Sequence, residues 1–305
     1  MKASKNLIAA FLALIIVFIS AALYENGIIT DELYLKLISS VKSELVLEAN
    51  DVEVHFIDVG QAESILIKTP EKAVLIDSGE IGCENAVTNY LHSNGIFHID
   101  LFIITHPHSD HIGSAEEILS RFPVTEVAMP EIPEEYLPTT SLYEDFLIAV
   151  KKKKCTVSFI EAGSSFSLGD GIAFDILSPS GDMGDNLNNY SVVSKLSYGE
   201  VSFLFTGDIE KEVEKLLLSS KADISCDVYN AGHHGSSTSN TESFLAAANP
   251  KYAAISCGAN NDYGHPHRET ISLFKKLEIK YFRTDYDGNI VFGTDGENIS
   301  VITSK

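Results

Sequence analysis

Short β-rich runs alternate with helical patterns from residue 52 to the end of the chain. The segments 52–60, 64–70 and 73–79 are rich in β-branched residues and are separated by turn residues, which predicts consecutive strands. Further strands are predicted at 99–106, 124–130, 155–163, 226–232 and 252–258, with a hairpin at 191–208. Helices are predicted at 85–95, 114–122, 141–154, 209–220, 241–250 and 267–277. This mixed order predicts one α/β domain over residues 51–305.

The first 24 residues have a different pattern, because residues 7–23 carry no charged side chain. A helix of this length reaches about 25 Å, which is at the short end of what spans a bilayer. Lysines precede the run and acidic residues follow it, so the N-terminus is expected inside and the remainder outside. The small residues 20–22 could instead form a signal-peptidase site. Residues 1–24 are therefore predicted to be a signal-anchor or a signal peptide, and the protein to be extracytoplasmic, membrane-anchored or secreted.

Residues 25–50 are predicted to form an amphipathic helical stalk. Leu33, Leu37, Val41 and Leu45 recur every four residues, and Asp31 is placed to cap a helix. This segment would connect the membrane helix to the α/β domain.

The net charge of −21 limits the partners of the chain. Nucleic-acid binders usually carry a basic surface, because neutralising phosphates drives their affinity. The basic run Lys151–Lys154 ends a predicted helix, where cations stabilise the helix C-terminus. The four cysteines lie far apart without a C-x-x-C pair, which excludes a zinc finger.

The stretch THPHSDHIGS at residues 105–114 holds three histidines and an aspartate within six positions. It follows a predicted buried strand, and open α/β sheets bind ligands in loops at strand ends. His106 and His108 can hold one metal ion there, and Asp110 and His111 a second. Imidazole and carboxylate ligands suit zinc, manganese or iron.

Three further strand ends carry residues of the same chemistry. Asp208 in LFTGD is placed to bridge two metals, and His233 and His234 in GHHGS lie between glycines that permit close approach to a ligand. His265 in YGHPH is expected to contact substrate. The remaining histidines are expected to face solvent or to be structural: His267, His55, His92 and His98.

Together, these motifs resemble the metallo-β-lactamase fold family of hydrolases over residues 51–295. The resemblance implies a four-layer αββα sandwich of two sheets flanked by helices, with a dinuclear site at one edge. More narrowly, DVGQAESILI, NNYSVVSKLSYGEVSFLFTGDIE, GHHGSSTS, NPKYAAISCGANNDYGHPH and RTDYDGNI resemble the extracytoplasmic hydrolase domain of ComEC-type competence proteins and its free-standing exported relatives.

The resemblance assigns roles to individual residues. His106 and His108 become ligands of the first metal, Asp110 and His111 ligands of the second, and Asp208 the bridging carboxylate. One of His233 and His234 completes the second metal, with His233 favoured. The implied catalytic residues are Asp110, His234 and His265; Asp58 and Asp77 support the ligands from behind, and Ser236 contacts substrate.

The sequence departs from the family at Asn188 and Asn189. β-Lactamases and glyoxalases of this fold bring a further histidine to the first metal from this segment. The asparagines are expected to contact substrate instead, and an amide is a weak metal ligand. The first metal is therefore expected to be loosely held, or to be manganese rather than zinc.

Two divalent metals, zinc or manganese, would activate a water for attack on an electrophile. This chemistry fits a phosphodiester, and the resemblance points to DNA, with a nucleotide or a cell-wall phospho-ester as smaller candidates. One alternative is hydrolysis of a β-lactam, lactone or thioester. An alternative from another class is a metal-supported DNA-binding module with little turnover. The sequence leaves the oligomeric state open.

Overall fold

A computed structural model describes residues 50–305 and, before them, the pairs 15–16, 19–20, 23–24, 29–30 and 33–34. Most of the predicted anchor or signal peptide (1–24) and of the predicted stalk (25–50) lies outside the described residues. Within the described part, the structure contains no helix long and apolar enough to cross a membrane.

The strands of the described region form two sheets. Their bounds are β1 Val52–Phe56, β2 Ile65–Lys68, β3 Ala73–Ile76, β4 Ile99–Ile103, β5 Val124–Pro130, β6 Thr156–Ile160, β7 Ser165–Gly169, β8 Ile172–Ser178, β9 Val193–Tyr198, β10 Val201–Phe205, β11 Val228–Asn230, β12 Tyr252–Ile255, β13 Lys280–Arg283, β14 Ile290–Thr294 and β15 Ile299–Thr303. The first sheet has the order β15-β14-β1-β2-β3-β4-β5-β6, and the second has the order β13-β12-β11-β10-β9-β8-β7. β3 to β6 are parallel, as are β10 to β13, so each group of strands ends at one edge of its sheet.

Helices cover the outer faces of the two sheets. Their bounds are α1 Glu84–Ser93, α2 Ser109–Ile112, α3 Ala115–Arg121, α4 Ser141–Lys153, α5 Lys211–Ser220, α6 Glu242–Ala248, α7 Arg268–Lys276 and α8 Thr284–Asp287. Thr140 caps α4 by accepting a hydrogen bond from the Tyr143 amide, and Lys154 ends it in a left-handed conformation. Short 3₁₀ turns cover Glu134–Tyr136, Leu187–Tyr190 and Gly232–Gly235.

Three hydrophobic clusters separate the layers. The central cluster lies between the sheets and includes Phe56 and Phe292 from the first sheet and Phe174 and Phe205 from the second. A second cluster packs the first sheet against α1, α3 and α4. A third packs the second sheet against α5, α6 and α7. The resulting order of helix, sheet, sheet and helix agrees with the mixed α/β, two-sheet fold that the sequence predicts.

The structure differs from the sequence prediction in a few elements. β7, β8, β13, β14 and β15 were not predicted, and β7 was missed because the segment 163–171 is dense in glycine and serine and resembles a loop. Residues 105–114 were expected to form a loop before a helix, but Ser109–Ile112 already form a helical turn, α2. The four cysteines are free thiols.

The packing between the sheets predicts a large effect of Phe292→Ala. The Phe292 ring is buried and lies 6.0 Å from that of Phe56 and 5.9 Å from that of Tyr252, between centroids. We expect the substitution to lower the free energy of unfolding by about 3–5 kcal/mol, because it removes buried area and leaves a cavity. Denaturant unfolding measures this change. Leu216→Ala on the exposed face of α5 is the control and should change it by less than about 0.5 kcal/mol.

Candidate metal centre

The ends of four strands bring the candidate residues to one edge of the sandwich. Asp77 follows β3 and His106 follows β4, while Asp208 follows β10 and His234 follows β11. Because both groups of strands end at this edge, side chains that lie more than a hundred positions apart in the sequence come into contact. His234 Nε2, for example, lies 3.2 Å from Asp110 Oδ2.

His106 and His108 form the first pair of candidate ligands. His106 Nε2 lies 3.0 Å from His108 Nδ1. The other ring nitrogen of His106 contacts the hydroxyls of Ser191 at 3.1 Å and Thr105 at 3.2 Å, which fixes the ring. Burial lowers the pKa of both histidines, so both rings are neutral at pH 7 and can donate a lone pair to a metal.

A second group of ligand atoms lies beside the first. One atom each from Asp110, His111, Asp208 and His234 lies within 4.8 Å of the others. His111 Nε2 is 3.4 Å from Asp208 Oδ1, and His234 Nε2 is 3.7 Å from Asp208 Oδ2. Burial alone would raise the pKa of Asp208, but the adjacent His111 and His234 outweigh burial and hold it well below its usual range. Asp208 is therefore ionised and lies at the centre of the group.

The turn after β11 places its two histidines in different surroundings, although the Nε2 atoms of His233 and His234 lie 3.6 Å and 3.7 Å from Asp208 Oδ2. His233 and His234 both have left-handed backbone angles, with φ of 52° and 54°, which turns their side chains apart. His234 Nδ1 contacts the Ser256 carbonyl oxygen at 2.9 Å, and its Nε2 thereby faces the carboxylates. His233 is more exposed and its Nδ1 contacts Thr238 Oγ1 at 3.2 Å. The sequence analysis favours His233 as the ligand, whereas the group of ligand atoms includes His234.

The glycines around this turn permit its close approach to the next loop. A Cβ atom at Gly235 would lie 2.6 Å from Pro266 Cβ, and Gly235 has a φ of +81°. Any side chain there would displace the segment that carries His265.

Asp77 contacts the Nδ1 side of the His111 ring, opposite the Nε2 atom that faces Asp208. Its Oδ2 atom lies 2.7 Å from His111 Nδ1 and accepts a 2.6 Å hydrogen bond from the Thr105 hydroxyl. Its Oδ1 atom accepts from the Thr105 amide at 2.8 Å. These contacts fix the ring and aim His111 Nε2 towards Asp208, as the partners of metal-binding histidines generally do.

Four buried side-chain atoms have no hydrogen-bond partner among the described residues: Glu63 Oε1, His111 Nε2, Asn188 Oδ1 and Ser256 Oγ. A buried polar atom without a partner costs about 1–3 kcal/mol. Asn188 Oδ1 and, once its ring has lost a proton, His111 Nε2 offer lone pairs beside other nitrogen and carboxylate ligands, and a divalent cation at each position would satisfy them. The residues present therefore fit divalent metal ions.

The asparagine segment lies against the first pair of ligands. Asn188 is buried in the 3₁₀ turn Leu187–Tyr190, and its side chain lies against His108. Asn189 is turned away, and its Oδ1 accepts from the Glu210 amide at 3.3 Å. Of the two, Asn188 is thus the one placed beside a candidate metal ligand.

Other predicted residues lie at the margin of the centre or outside it. The His265 ring lies 5.5 Å from that of His233, and burial lowers its pKa to about 4. Ser236 is buried, with its hydroxyl 3.1 Å from that of Thr238 inside the loop. Asp58 contacts Lys305 and Asn289 rather than a candidate ligand.

The remaining histidines have ordinary structural contacts. His55 is buried beside Glu53 and Tyr90, and His92 stacks on Phe122. His98 is exposed and bonds to Thr125, and His267 begins α7.

Glu63 was missed by the sequence analysis. It is buried behind His111, and burial raises its pKa to about 7. One oxygen accepts a 2.9 Å hydrogen bond from the Asn230 amide group at the end of β11, and the other has no partner among the described residues.

Asp77→Asn should weaken metal binding without unfolding the chain. Loss of the negative charge behind His111 lowers the basicity of its ring, and we expect metal affinity to fall about 10–100-fold. Competition with a chromogenic chelator measures this affinity. Asp58→Asn, at the Lys305 contact, is the control and should bind metal as the parent does. Equal affinity of both variants would exclude the supporting role of Asp77.

The metal-free protein should show a pH-dependent contribution from His234. Burial disfavours the charged ring, but Asp208 and Asp110 outweigh it and raise its pKa to about 9 from 6.5. A group whose pKa is raised in the folded state stabilises the protein at pH values below its pKa in the unfolded chain. This stabilisation is lost as pH rises through the folded-state pKa. The stability difference between the parent and His234→Gln should thus shrink from pH 6.5 to pH 9. Thermal unfolding without metal measures it, and a pH-independent difference would contradict the assignment.

A family model identifies the superfamily of the chain. Residues 57–259 match the model of the metallo-beta-lactamase superfamily. ComE operon protein 3 of Bacillus subtilis (strain 168) is 32% identical over 263 residues, covering 80% of this chain and 33% of that protein. Competence protein ComA of Neisseria gonorrhoeae is 29% identical over 258 residues, covering 83% of this chain and 34% of that protein. The chain thus spans about a third of the length of these curated relatives.

Solved structures support the fold. The diiron beta-hydroxylase CmlA of Streptomyces venezuelae superposes with a TM-score of 0.52 at 15% identity, covering 80% of this chain and 57% of that one. Igni18, a metallo hydrolase of Ignicoccus hospitalis, superposes with a TM-score of 0.50 at 15% identity, covering 80% of this chain and 100% of that one. The predicted resemblance to ComEC-type competence proteins is confirmed, and the chain belongs to the metallo-beta-lactamase superfamily.

Proposed function

We propose that this chain is a metal-dependent hydrolase of phosphodiesters with a dinuclear centre. The observation that carries the proposal is the adjacency of two ligand groups, the pair His106 and His108 and the buried group around Asp208. The unpartnered Nε2 atom of His111 lies inside the second group. Relatives named competence proteins make DNA one candidate substrate.

In this proposal each side chain has a distinct binding role. His106 and His108 hold the first cation, with Asn188 Oδ1 as an additional oxygen donor. Asp110, His111 and His234 hold the second, and Asp208 lies between the two. An oxygen donor in place of a third imidazole favours manganese over zinc at the first position. When bound, the two cations supply Lewis acidity and an activated water at neutral pH.

The residues at the margin act on the substrate. His265 is neutral at pH 7, because its pKa is about 4, so it offers a hydrogen bond without adding a positive charge. His233, partly exposed beside it, is placed to contact a non-bridging oxygen. Ser236 follows the 3₁₀ turn that carries His233 and His234, and Asp77 keeps His111 in place.

Export is part of the proposal. Residues 7–23 carry no charge and follow lysines, and the curated relatives are competence proteins. We place the hydrolase domain outside the cytoplasmic membrane, anchored or released according to whether the N-terminal segment is cleaved.

The test is cleavage of bis(p-nitrophenyl) phosphate by the full chain, stripped of metal and reloaded with manganese or zinc. We expect metal-dependent turnover that His108→Ala reduces by at least about 10²-fold, because a lost ligand misplaces the first cation. His98→Ala, an exposed histidine, is the matched control and should retain parent activity.

Three outcomes would overturn this proposal. A chain that binds two ions but does not cleave the diester is not a phosphodiesterase. Turnover of a chromogenic cephalosporin, lactone or thioester instead would assign an acyl hydrolase. DNA retention that falls with salt, without cleavage, would assign the binding module.

A further inference from the structure

Gln61 holds one nitrogen of the His265 ring across the boundary between the two sheets. Gln61 lies in the loop between β1 and β2, and His265 lies in the loop between β12 and α7. Gln61 Nε2 is 3.3 Å from His265 Nδ1. His265 is buried, at 9% exposure, and its Nε2 atom forms no hydrogen bond among the described residues. One ring nitrogen is therefore engaged, and the other is available to a ligand.

The Gly258 backbone determines which way the Gln61 amide faces. The Gly258 N–H donates to Gln61 Oε1 at 3.0 Å, and because a backbone N–H can only donate, the atom that it contacts must be the carbonyl oxygen. The other end of the amide is therefore the NH₂ group, which can only donate. A Cβ atom at Gly258 would lie 2.6 Å from the Gln61 backbone nitrogen, so glycine permits this close approach.

These contacts determine which nitrogen of His265 carries a proton. Because Gln61 donates to Nδ1, that nitrogen must present a lone pair. Burial and the neighbouring His234 and His233 lower the pKa of His265 to about 4, so at pH 7 the ring is neutral and has one proton. The proton is therefore on Nε2, which makes Nε2 a hydrogen-bond donor.

Two candidate metal ligands face the opposite kind of partner. Nδ1 of His111 lies 2.7 Å from the Asp77 carboxylate, and Nδ1 of His234 lies 2.9 Å from the Ser256 carbonyl oxygen. An acceptor in this position keeps the proton of a neutral ring on Nδ1 and leaves the Nε2 lone pair to a metal. A donor in the same position keeps Nδ1 free of a proton. The group that contacts Nδ1 thus distinguishes these two ligands from His265.

The loop that carries His265 is held in place by its own hydrogen bonds. The Asn261 side chain donates to the carbonyl oxygens of Gly258 at 2.9 Å and His265 at 2.6 Å, and it accepts from the His265 amide at 2.9 Å. The Tyr263 ring stacks on the His265 ring, with their centroids 5.6 Å apart. Gly258 and His265, which both contact Gln61, are therefore held together as one unit.

We propose that Gln61 is a positioning residue that holds His265 as an Nε2–H donor to an oxygen of the phosphodiester. The inference rests on the proposed function, because it assigns the direction of one hydrogen bond at the same centre. The ring centroid of His265 lies 6.1 Å from that of the candidate ligand His234, so the donor is beside the metal centre. The oxygens of a phosphodiester anion are all acceptors, in DNA as in a smaller diester, and a donor stabilises the negative charge that develops on them. His265 held in this way neither accepts a proton from water nor coordinates a metal through Nε2.

Nuclear magnetic resonance tests this arrangement without turnover. Gln61 is the only glutamine of the chain, so selective ¹⁵N labelling of glutamine gives one side-chain amide signal. In the full chain, metal-free and zinc-loaded, we expect the ¹⁵N shifts of the His265 ring to show a protonated Nε2 and an unprotonated Nδ1. His265→Phe removes these ring signals, which assigns them, and should also shift the Gln61 amide signal.

Gln61→Glu reverses the partner of His265 and retains the acceptor for the Gly258 amide. The second carboxylate oxygen of the variant can only accept, so the ring proton should move to Nδ1. Asn260→Asp makes the same change from amide to carboxylate at an exposed position of the loop that carries His265. This control should leave the tautomer as in the parent.

The kinetic counterpart is cleavage of bis(p-nitrophenyl) phosphate by the metal-loaded full chain. We expect Gln61→Glu to lower kcat by about 10- to 100-fold with little change in KM or in bound metal, because a donor to the developing charge is lost. Asn260→Asp should retain the parent kcat. Gln61→Glu should have no further effect in the His265→Phe background, because the two side chains act as one unit.

The outcomes separate this role of Gln61 from the proposed function. A proton on Nδ1 of His265 in the parent, or a loss of kcat from Gln61→Glu that persists in the His265→Phe background, would overturn the role of Gln61. The expected tautomer in the parent and its reversal in Gln61→Glu, in a chain that cleaves no diester, would support the role of Gln61 and overturn the phosphodiesterase.

Discussion

The site depends on the hydrogen bond between Asp77 and His111, which joins two buried residues at 2.7 Å. Asp77 also accepts hydrogen bonds from both the amide and the hydroxyl of Thr105, so one carboxylate fixes the start of the histidine motif and its last ligand together. Burial of this carboxylate is unfavourable unless the partners are present, and burial accordingly raises its pKa. Burial of the Asp77 carboxylate lowers stability, but the buried pair holds the His111 imidazole rigidly in the orientation that a metal ligand needs.

Pattern and chemistry predicted much of the fold. The strands of the central layers are short apolar runs that end in glycine, aspartate or histidine, and such runs identify both the element and its functional end. β7 was missed because Ser165–Gly169 contains only two apolar side chains among serines and a glycine, which gives little hydrophobic signal. The helical turn α2 was missed because a four-residue helix has no periodicity to detect.

The sequence predicted most of the residues that form the candidate site, but it did not predict their geometry. The spacing within THPHSDHIGS indicates His106, His108 and Asp110, whereas Asp208 follows from the family resemblance, because a Gly-Asp pair after a strand is common. The choice between His233 and His234 depends on the left-handed backbone angles of both residues. It also depends on the carbonyl oxygen of Ser256, in the loop after β12, which fixes the ring of His234. Adjacent residues of one type cannot be distinguished by sequence when tertiary contacts decide their direction. Glu63 was not identified from the sequence for the same reason, because its hydrogen-bond partner Asn230 lies in the other sheet.

The ligands come from both sheets, and this has a consequence for distant parts of the molecule. His111 is positioned by the first sheet and His234 by the second, with Asp208 between them. Metal coordination tolerates shifts of the ligand atoms of only a few tenths of an ångström. The distance between the two sheets is set by the aromatic packing of Phe56 against Phe205. The packing of the hydrophobic core therefore sets the spacing between candidate ligands that come from different sheets, so a substitution in the core can move these ligands without replacing one of them.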